Sequence, residues 1–356
     1  MDKKVRVLIV DDSAVIRQLL QMLLSQDPEI EVVGTAGDPL IARDRIKALN
    51  PDVVTLDVEM PNMDGVTFLR KIMTLRPMPV IMVSTLTQAG AETTLEALEI
   101  GAVDFVAKPV KDVAQGLAEI AGELQAKVKQ AARARVGRGS AALAPTKPRR
   151  AYSAGAGERL VAIGASTGGV EALKKVLMQL PAECPPIVIT QHMPPRFTAA
   201  FAERLNRECP MKVSEAMHNE TIEAGHVYIA PGSHHLEVVR AGNEYRCTLS
   251  DSAPVSGHRP SVDVLFRSVA KVAGKAAVGS ILTGMGKDGA EGLLAMRQAG
   301  AYTLGQDEAS ALIYGMPRVA FERGAVMRQV SLSHMAEAIL DACDGTAASA
   351  KAAARA

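Results

Sequence analysis

Short, near-continuous apolar runs alternate along this chain with stretches whose apolar positions recur every three or four residues. Continuous apolar runs bounded by turn residues predict strands buried on both faces, and the 3.6-residue period predicts amphipathic helices. In the first half the runs Val5–Val10, Ile30–Ala36, Val53–Asp57, Val80–Ser84 and Ala102–Val106 predict strands. Helical patterns at Ala14–Ser25, Leu40–Leu49, Gly65–Leu75, Ala89–Ile100 and Asp112–Lys127 fall between and after them, with Pro51, Pro77, Pro79 and Gly101 in the turns. Five strand–helix units in a row predict a flavodoxin-like, doubly wound five-stranded domain.

The alternation resumes at Arg159. Strands are predicted at Leu160–Ile163, Ile187–Thr190, Val227–Ile229, Ala276–Leu282, Tyr302–Leu304 and Val326–Val330, with helices after Gly169, Arg196, Ser261, Asp288, Glu308 and His334. Two alternating runs, Leu236–Arg240 and Tyr245–Leu249, flank Ala241-Gly242-Asn243-Glu244 and predict a hairpin. The second half therefore reads as a doubly wound, mainly parallel α/β domain with an antiparallel hairpin. Between the halves, Lys127 to Gly157 carries eight basic residues, no acids and many Ala, Gly, Ser and Pro. Such a segment cannot bury a core and predicts a flexible basic linker. The chain divides on this reading into domains 1–126 and 159–346, a linker 127–158 and an Ala-rich tail 347–356 expected to be disordered.

Composition narrows the function. Hydrophobic residues make 48% of the 356, enough for two cores, but aromatics are 3% and Trp is absent, so stacking surfaces for bases or sugars are not expected. With 40 basic and 39 acidic residues the net charge is +1, which gives no global attraction to nucleic acid or anionic lipid. The four cysteines, Cys184, Cys209, Cys247 and Cys343, show no metal-ligand spacing and fit a reduced, cytoplasmic protein. No apolar run is long enough to cross a bilayer, so the protein is not expected to be membrane-embedded.

Ligands of parallel α/β sheets gather at the carboxyl ends of the strands. Asp11 and Asp12 close the first strand, Asp57 the third and Ser84 the fourth, and Lys108 follows the fifth. Three converging carboxylates, Asp11, Asp12 and Asp57, suit an oxygen-coordinated Mg²⁺, Lys108 offers a cation to an oxyanion, and Ser84 offers a hydroxyl. Asp57, on the middle strand, is the candidate phosphoryl acceptor. The phrases Val-Asp-Asp, Leu-Asp-Val-Glu-Met-Pro-Asn-Met-Asp-Gly, Val-Ser-Thr and Phe-Val-Ala-Lys-Pro resemble the response-regulator receiver domain over residues 4 to about 125. That resemblance implies phosphorylation of Asp57 by a histidine kinase with Mg²⁺ held by Asp11 and Asp12. It places Ser84 where the family senses the phosphoryl group and Phe105 where it often carries a switching aromatic.

In the second half, Gly164-Ala165-Ser166-Thr167-Gly168 follows a strand, opens a helix and fits G-x-S-x-G, a turn that lifts a serine hydroxyl out of the sheet. Alone it would equally serve a helix cap or a phosphate. His192 and Asp288 also stand just past strands, and together the three supply a nucleophile, a base and an orienting acid. The glycines around Met285 leave its backbone open to an oxyanion. His258 and Arg259 are expected in the substrate pocket; His218, His226 and His334 are expected to be structural or solvent-facing. A metal site from His234, His235 and His258 is the alternative, without supporting spacing. Ala-Ile-Gly-Ala-Ser-Thr-Gly-Gly, Gln-His-Met-Pro, Ile-Ala-Pro-Gly-Ser-His-His, Gly-His-Arg-Pro-Ser-Val-Asp and Leu-Thr-Gly-Met-Gly-Lys-Asp-Gly resemble the catalytic domain of the chemotaxis protein-glutamate methylesterases. The resemblance implies a Ser166–His192–Asp288 triad with Thr167 and the Met285 backbone on the oxyanion side. It implies hydrolysis of glutamate γ-methyl esters on methyl-accepting chemoreceptors, and often glutamine deamidation, with no cofactor for the ester chemistry and with the receiver holding the enzyme in check until Asp57 is phosphorylated. The competing reading is a receiver-controlled DNA-binding protein; against it, no helix-turn-helix is visible, basic residues cluster only in the linker, and no nucleic-acid partner is expected.

Overall fold

The computed structural model describes residues 3–61, 63–85, 87–108, 114–134, 136 and 159–345, which fall into two compact units, Met1–Ala141 and Ala142–Ala356. Most of the expected linker and all of the expected tail lie outside the described residues.

The first unit runs β1 (Val5–Val10), α1 (Ala14–Ser25), β2 (Ile30–Ala36), α2 (Pro39–Leu49), β3 (Val53–Asp57), α3 (Gly65–Leu75), β4 (Val80–Ser84), α4 (Gln88–Ile100), β5 (Asp104–Ala107) and α5 (Ala114–Ala131). The strands form one parallel sheet in the order β2-β1-β3-β4-β5. Every residue of β3 and β4 is buried, as expected of central strands covered on both faces. Polar side chains start the helices: Ser13, Asp38, Asp64 and Thr87 each accept a backbone N–H of the first turn of α1 to α4.

One boundary moves. The helix expected to end at Lys127 continues to Ala131. Val128 and Ala131 are buried, Lys127 pairs with Asp104 and Glu123, and Lys129 pairs with Asp27 and Glu29. The first two basic residues read as linker are thus anchored to the folded unit by ion pairs that composition does not reveal.

The second unit runs β6 (Leu160–Ala165), α6 (Gly169–Leu177), β7 (Ile187–Gln191), α7 (Phe197–Glu208), β8 (Lys212–Glu215), β9 (His226–Ile229), β10 (His235–Ala241), β11 (Glu244–Ser250), α8 (Val262–Ala273), β12 (Ala277–Ile281), α9 (Ala290–Gln298), β13 (Tyr302–Gln306), α10 (Met316–Glu322), β14 (Arg328–Val330) and α11 (Met335–Cys343). Seven parallel strands form the sheet β14-β13-β12-β6-β7-β9-β8, and β10 and β11 pair as a separate antiparallel hairpin. Strand β8 has no counterpart among the expected elements, because Lys-Val-Ser-Glu on a sheet edge is short and half polar. The helix expected after Glu308 starts later than expected. The Asp307 carboxylate accepts the backbone N–H and hydroxyl of Ser310, closing a local turn, and the helix begins at Met316.

Helix α8 sets the site geometry. Its face Val262, Leu265, Phe266 and Val269 is fully buried. It approaches β6 so closely that a Cβ on Gly164 would stand 2.2 Å from Val262 Cγ1. The N-terminus of α8 is thereby pressed against the carboxyl end of β6.

On β9, beside the edge strand β8, His226 is buried, packs at a tilt against Tyr228 with ring centroids 3.9 Å apart and shares a 2.7 Å hydrogen bond with Ser214. Burial, then the Lys212 charge, pull its imidazole down to about 4. A base lowered on folding contributes stability that is full above the unfolded value of about 6.5 and is lost as pH falls toward 4, by up to about 3 kcal/mol. Urea unfolding of the second unit at pH 7 and pH 4.5 should show this loss, and His226→Phe should shrink it.

Candidate functional site

In the first unit Asp11 and Asp57 are fully buried and Asp12 is exposed. Lys108 Nζ lies 2.8 Å from Asp57 Oδ1 and 3.3 Å from Asp11 Oδ2. Backbone N–H groups of Ser13 and Glu59 donate to Asp11 Oδ1 and Asp57 Oδ1. Among the described residues Asp57 Oδ2 is buried without a donor, and Asp11 Oδ2 meets the Lys108 charge without hydrogen-bond geometry. Burial pushes the Asp57 carboxyl up to about 6 and raises that of Asp11 too, against the opposing pull of Lys108. For Lys108, burial pulls down, but its bond to Asp57 and the charges of Asp57 and Asp11 win and raise it.

Oxygens from Asp11, Asp12 and Asp57 all come within 4.8 Å of one another. Two buried carboxylate oxygens short of donors, in a set made only of oxygen, fit a hard divalent cation such as Mg²⁺. Ser84 and Phe105 sit on the neighbouring strands, where Asp57 pairs with Val83 and Met82 with Phe105. The buried Ser84 hydroxyl lies 3.3 Å from the carbonyls of Thr85 and Gly90. Phe105 is turned inward, its ring centroid 5.2 Å from the Lys127 ammonium.

In the second unit Ser166 follows β6 and precedes α6, His192 follows β7, and Asp288 precedes α9. His192 Nδ1 lies 3.1 Å from Ser166 Oγ, and His192 Nε2 lies 2.8 Å from Asp288 Oδ2. The three residues expected to act together are thus bonded in series. Ser166 N–H donates to the Thr283 carbonyl and His192 N–H to the Ala165 carbonyl, so neighbouring strand ends fix both backbones. Gln191 Nε2 bridges the carbonyls of Ser166 and His192 at 3.0 and 3.1 Å. Thr283 donates its hydroxyl to the Thr167 carbonyl and takes its own N–H partner from Gln306 Oε1.

Asp288 is buried in a cradle at the start of α8. Besides His192, the Ser261 hydroxyl (2.8 Å) and the N–H groups of Val262 (2.7 Å) and Asp263 (3.2 Å) donate to its carboxylate. Burial alone would raise this carboxyl; the His192 bond and charge, with Ser261 and Val262, outweigh it and hold it below the ordinary range. A helix N-terminus favours negative charge, so the ionised form is the one this cradle selects.

His258 stacks on His192, centroids 3.8 Å apart and planes 13° apart. Arg259, expected to line the pocket, donates Nη1 to the carbonyls of Asp251 and Ser252 and braces the loop that carries His258. Thr167 is buried beside Ser166, and Met285 follows Gly284, whose added Cβ would stand 2.8 Å from Ser166 Cβ. His218 accepts the Leu249 N–H, His234 pairs with Ser233 and His334 with Ser331. Among the described residues the histidines do not gather into a metal-binding group.

Sequence reasoning missed Ser261, Gln191 and Gln306, and offered His235 only as a metal ligand. Ser261 looks like an ordinary cap of α8, but its hydroxyl makes no cap bond and turns to Asp288. The signal was its place one residue before a predicted helix; its target lies 27 positions away.

Residues 161–339 match the family model of the CheB methylesterase, and residues 7–120 match that of the response regulator receiver domain. A Caulobacter vibrioides protein named protein-glutamate methylesterase/protein-glutamine glutaminase 1 is 63% identical over 340 residues, covering 95% of this chain and 98% of that protein. A Xanthomonas campestris protein of the same name is 55% identical over 352 residues, covering 96% and 98%. The crystal structure of the Thermotoga maritima CheB methylesterase catalytic domain covers 52% of this chain and 98% of its own, at 33% identity and a TM-score of 0.51.

A Cβ on Gly284 would meet Met316 Sδ at 2.3 Å and Ser166 N at 3.0 Å. Gly284→Ala should therefore displace the Ser166 turn, costing about 1–3 kcal/mol of stability and most of the hydrolytic rate. Thermal melting and a turnover assay on the same sample check both.

Proposed function

The chain belongs to the CheB methylesterase family, carried behind a response-regulator receiver domain, and from that premise we propose that it is a phosphorylation-regulated serine hydrolase of chemotaxis adaptation. It demethylates glutamate γ-methyl esters of methyl-accepting chemoreceptors and deamidates selected glutamines. The observation that carries the reading is the series Ser166–His192–Asp288 with 3.1 and 2.8 Å bonds at adjoining strand ends.

In this reading His192 Nδ1 takes the Ser166 proton as Oγ attacks the ester carbonyl. Amide N–H groups of Thr167 and Met285 stabilise the developing oxyanion at the N-terminus of α6. His192 then gives its proton to the leaving methoxide, or to the amide nitrogen in deamidation, leaving an acyl-Ser166. Water deprotonated by the same nitrogen releases the glutamate carboxylate. Asp288 stays ionised throughout and keeps the imidazole ring aligned. His258 forms a wall of the pocket beside His192. No cofactor enters these steps.

Asp57 takes a phosphoryl group from the chemotaxis histidine kinase, with Asp11, Asp12 and Asp57 as the Mg²⁺ ligands. Bound there, Mg²⁺ supplies positive charge to the incoming phosphoryl oxygens. Lys108 pairs with one of those oxygens and Ser84 donates its hydroxyl to another, with Phe105 packing beneath. Among the described residues no helix is long and apolar enough to cross a membrane, and the enzyme acts from the cytoplasm on the receptors' cytoplasmic glutamates, without nucleic acid.

Methanol release from methylated receptor membranes tests this, with and without acetyl phosphate and Mg²⁺, in wild type, Asp57→Asn and Ser166→Ala. Wild type should release methanol faster with the phosphodonor, Asp57→Asn should not respond to it, and Ser166→Ala should lose at least about 10³-fold. Substantial turnover in Ser166→Ala refutes the serine assignment. A phosphodonor response in Asp57→Asn refutes the acceptor.

A further inference from the structure

His235 opens β10 and is fully buried, away from the three residues bonded in series. Its Nδ1 accepts the backbone N–H of Ser261 at 3.1 Å. Its Nε2 lies 3.2 Å from the carbonyl of Ala253. A backbone N–H can only donate and a carbonyl can only accept, so both bonds require one species: neutral imidazole with its proton on Nε2.

Each bond leads to a different side of His192. On one side, Ser261 begins the three-residue cradle whose hydroxyl and N–H groups hold Asp288. On the other, Ala253 belongs to the mostly exposed loop 251–260. Within that loop Val255 and His258 exchange two 3.0 Å backbone bonds around Ser256 and Gly257, whose φ angles are 54° and 81°. Such a two-residue turn with both φ positive is stiff and sets the direction of the residue after it. That residue is His258, whose ring lies flat on His192.

We propose that His235 is a positioning residue for the hydrolysis, fixing the Asp288 cradle through Nδ1 and the His258 loop through Nε2, so that both walls of the His192 slot keep their spacing. The proposal rests on the assignment of Ser166, His192 and Asp288 made above. The cradle arm acts on the alignment of Asp288 and is felt in kcat; the loop arm acts on the pocket wall and is felt in KM.

Two conservative replacements separate the arms. His235→Asn can put an amide oxygen where Nδ1 stood and loses the reach to Ala253. His235→Gln can put an amide nitrogen where Nε2 stood and loses the acceptor for Ser261. In the full-length protein, assayed by methanol release from methylated receptor membranes, His235→Gln should lower kcat about 10- to 100-fold, the range expected for a small misplacement of a catalytic group. His235→Asn should keep kcat within about threefold and raise KM. In an Asp288→Asn background His235→Gln should cost less than about twofold further, because the residue it acts through is already gone. Thermal melting is recorded for each variant. Equal kcat losses in both variants that track their melting temperatures, or a full additional loss in the Asp288→Asn background, would overturn the proposal.

A readout on the unmodified protein guards against variants that fail to fold. With ¹⁵N-labelled histidine, and His235 signals assigned by their loss in His235→Asn or by through-space contacts to Ser261, Nδ1 should report an unprotonated, accepting nitrogen. A protonated Nδ1 would overturn the proposal. Ser166→Ala is run alongside: turnover surviving there would sink the triad assignment itself, whereas a dead Ser166→Ala with indistinguishable His235 variants would sink only this inference.

Discussion

A carboxylate removed from water must find its solvation inside the protein, and the catalytic unit is arranged around that requirement at Asp288. Four donors surround it: His192 Nε2, the Ser261 hydroxyl and the N–H groups of Val262 and Asp263. Three of the four come from the start of α8, which reaches this place because Val262 packs onto Gly164 of β6. The negative charge then aligns the His192 ring, and the ring aligns the serine. A break among these four donors would leave a buried charge less well compensated, which is among the costlier defects a protein can carry.

The receiver pocket solves the same problem in the opposite sense. Asp57 is as buried as Asp288, yet its Oδ2 has no donor, its neighbour Asp11 adds like charge, and its carboxyl is raised to about 6. One ammonium, Lys108, is shared between the two carboxylates. The Asp288 carboxylate is satisfied by its donors, whereas the receiver carboxylates are left under-compensated, a state in which an arriving cation and phosphoryl group can change the local balance. Two sites built on parallel sheets at strand ends thus differ in whether the fold completes the charge or leaves it to a ligand.

Much of this was legible in the sequence. β1 to β4 fall on the expected runs because central parallel strands are apolar on both faces and turn residues bound them sharply. Ser166, His192 and Asp288 were visible because strand ends converge in this topology. The features that escaped depended on distant partners. Lys127 and Lys129 resemble linker residues until Asp104, Glu123, Asp27 and Glu29 are placed beside them. Arg259 was expected only as a pocket residue, and its bracing of two carbonyls of its own loop could not be read from the sequence. Ser261 and His235 carry no local signature that separates a structural role from support of the acid. The helix expected after Glu308 is delayed to Met316 for a short-range reason, a side-chain turn at Asp307 that competes with helix formation.

The central claim is that Ser166, His192 and Asp288 act as one unit. Single and paired substitutions, Ser166→Ala, His192→Ala and the double variant, measure this directly through kcat on methylated receptors. The account predicts that the double variant is no slower than the slower single variant, since either change alone disables the relay, with each loss on the order of 10⁴-fold or more. Losses that multiply in the double variant would mean that the two residues contribute independently, and would contradict it.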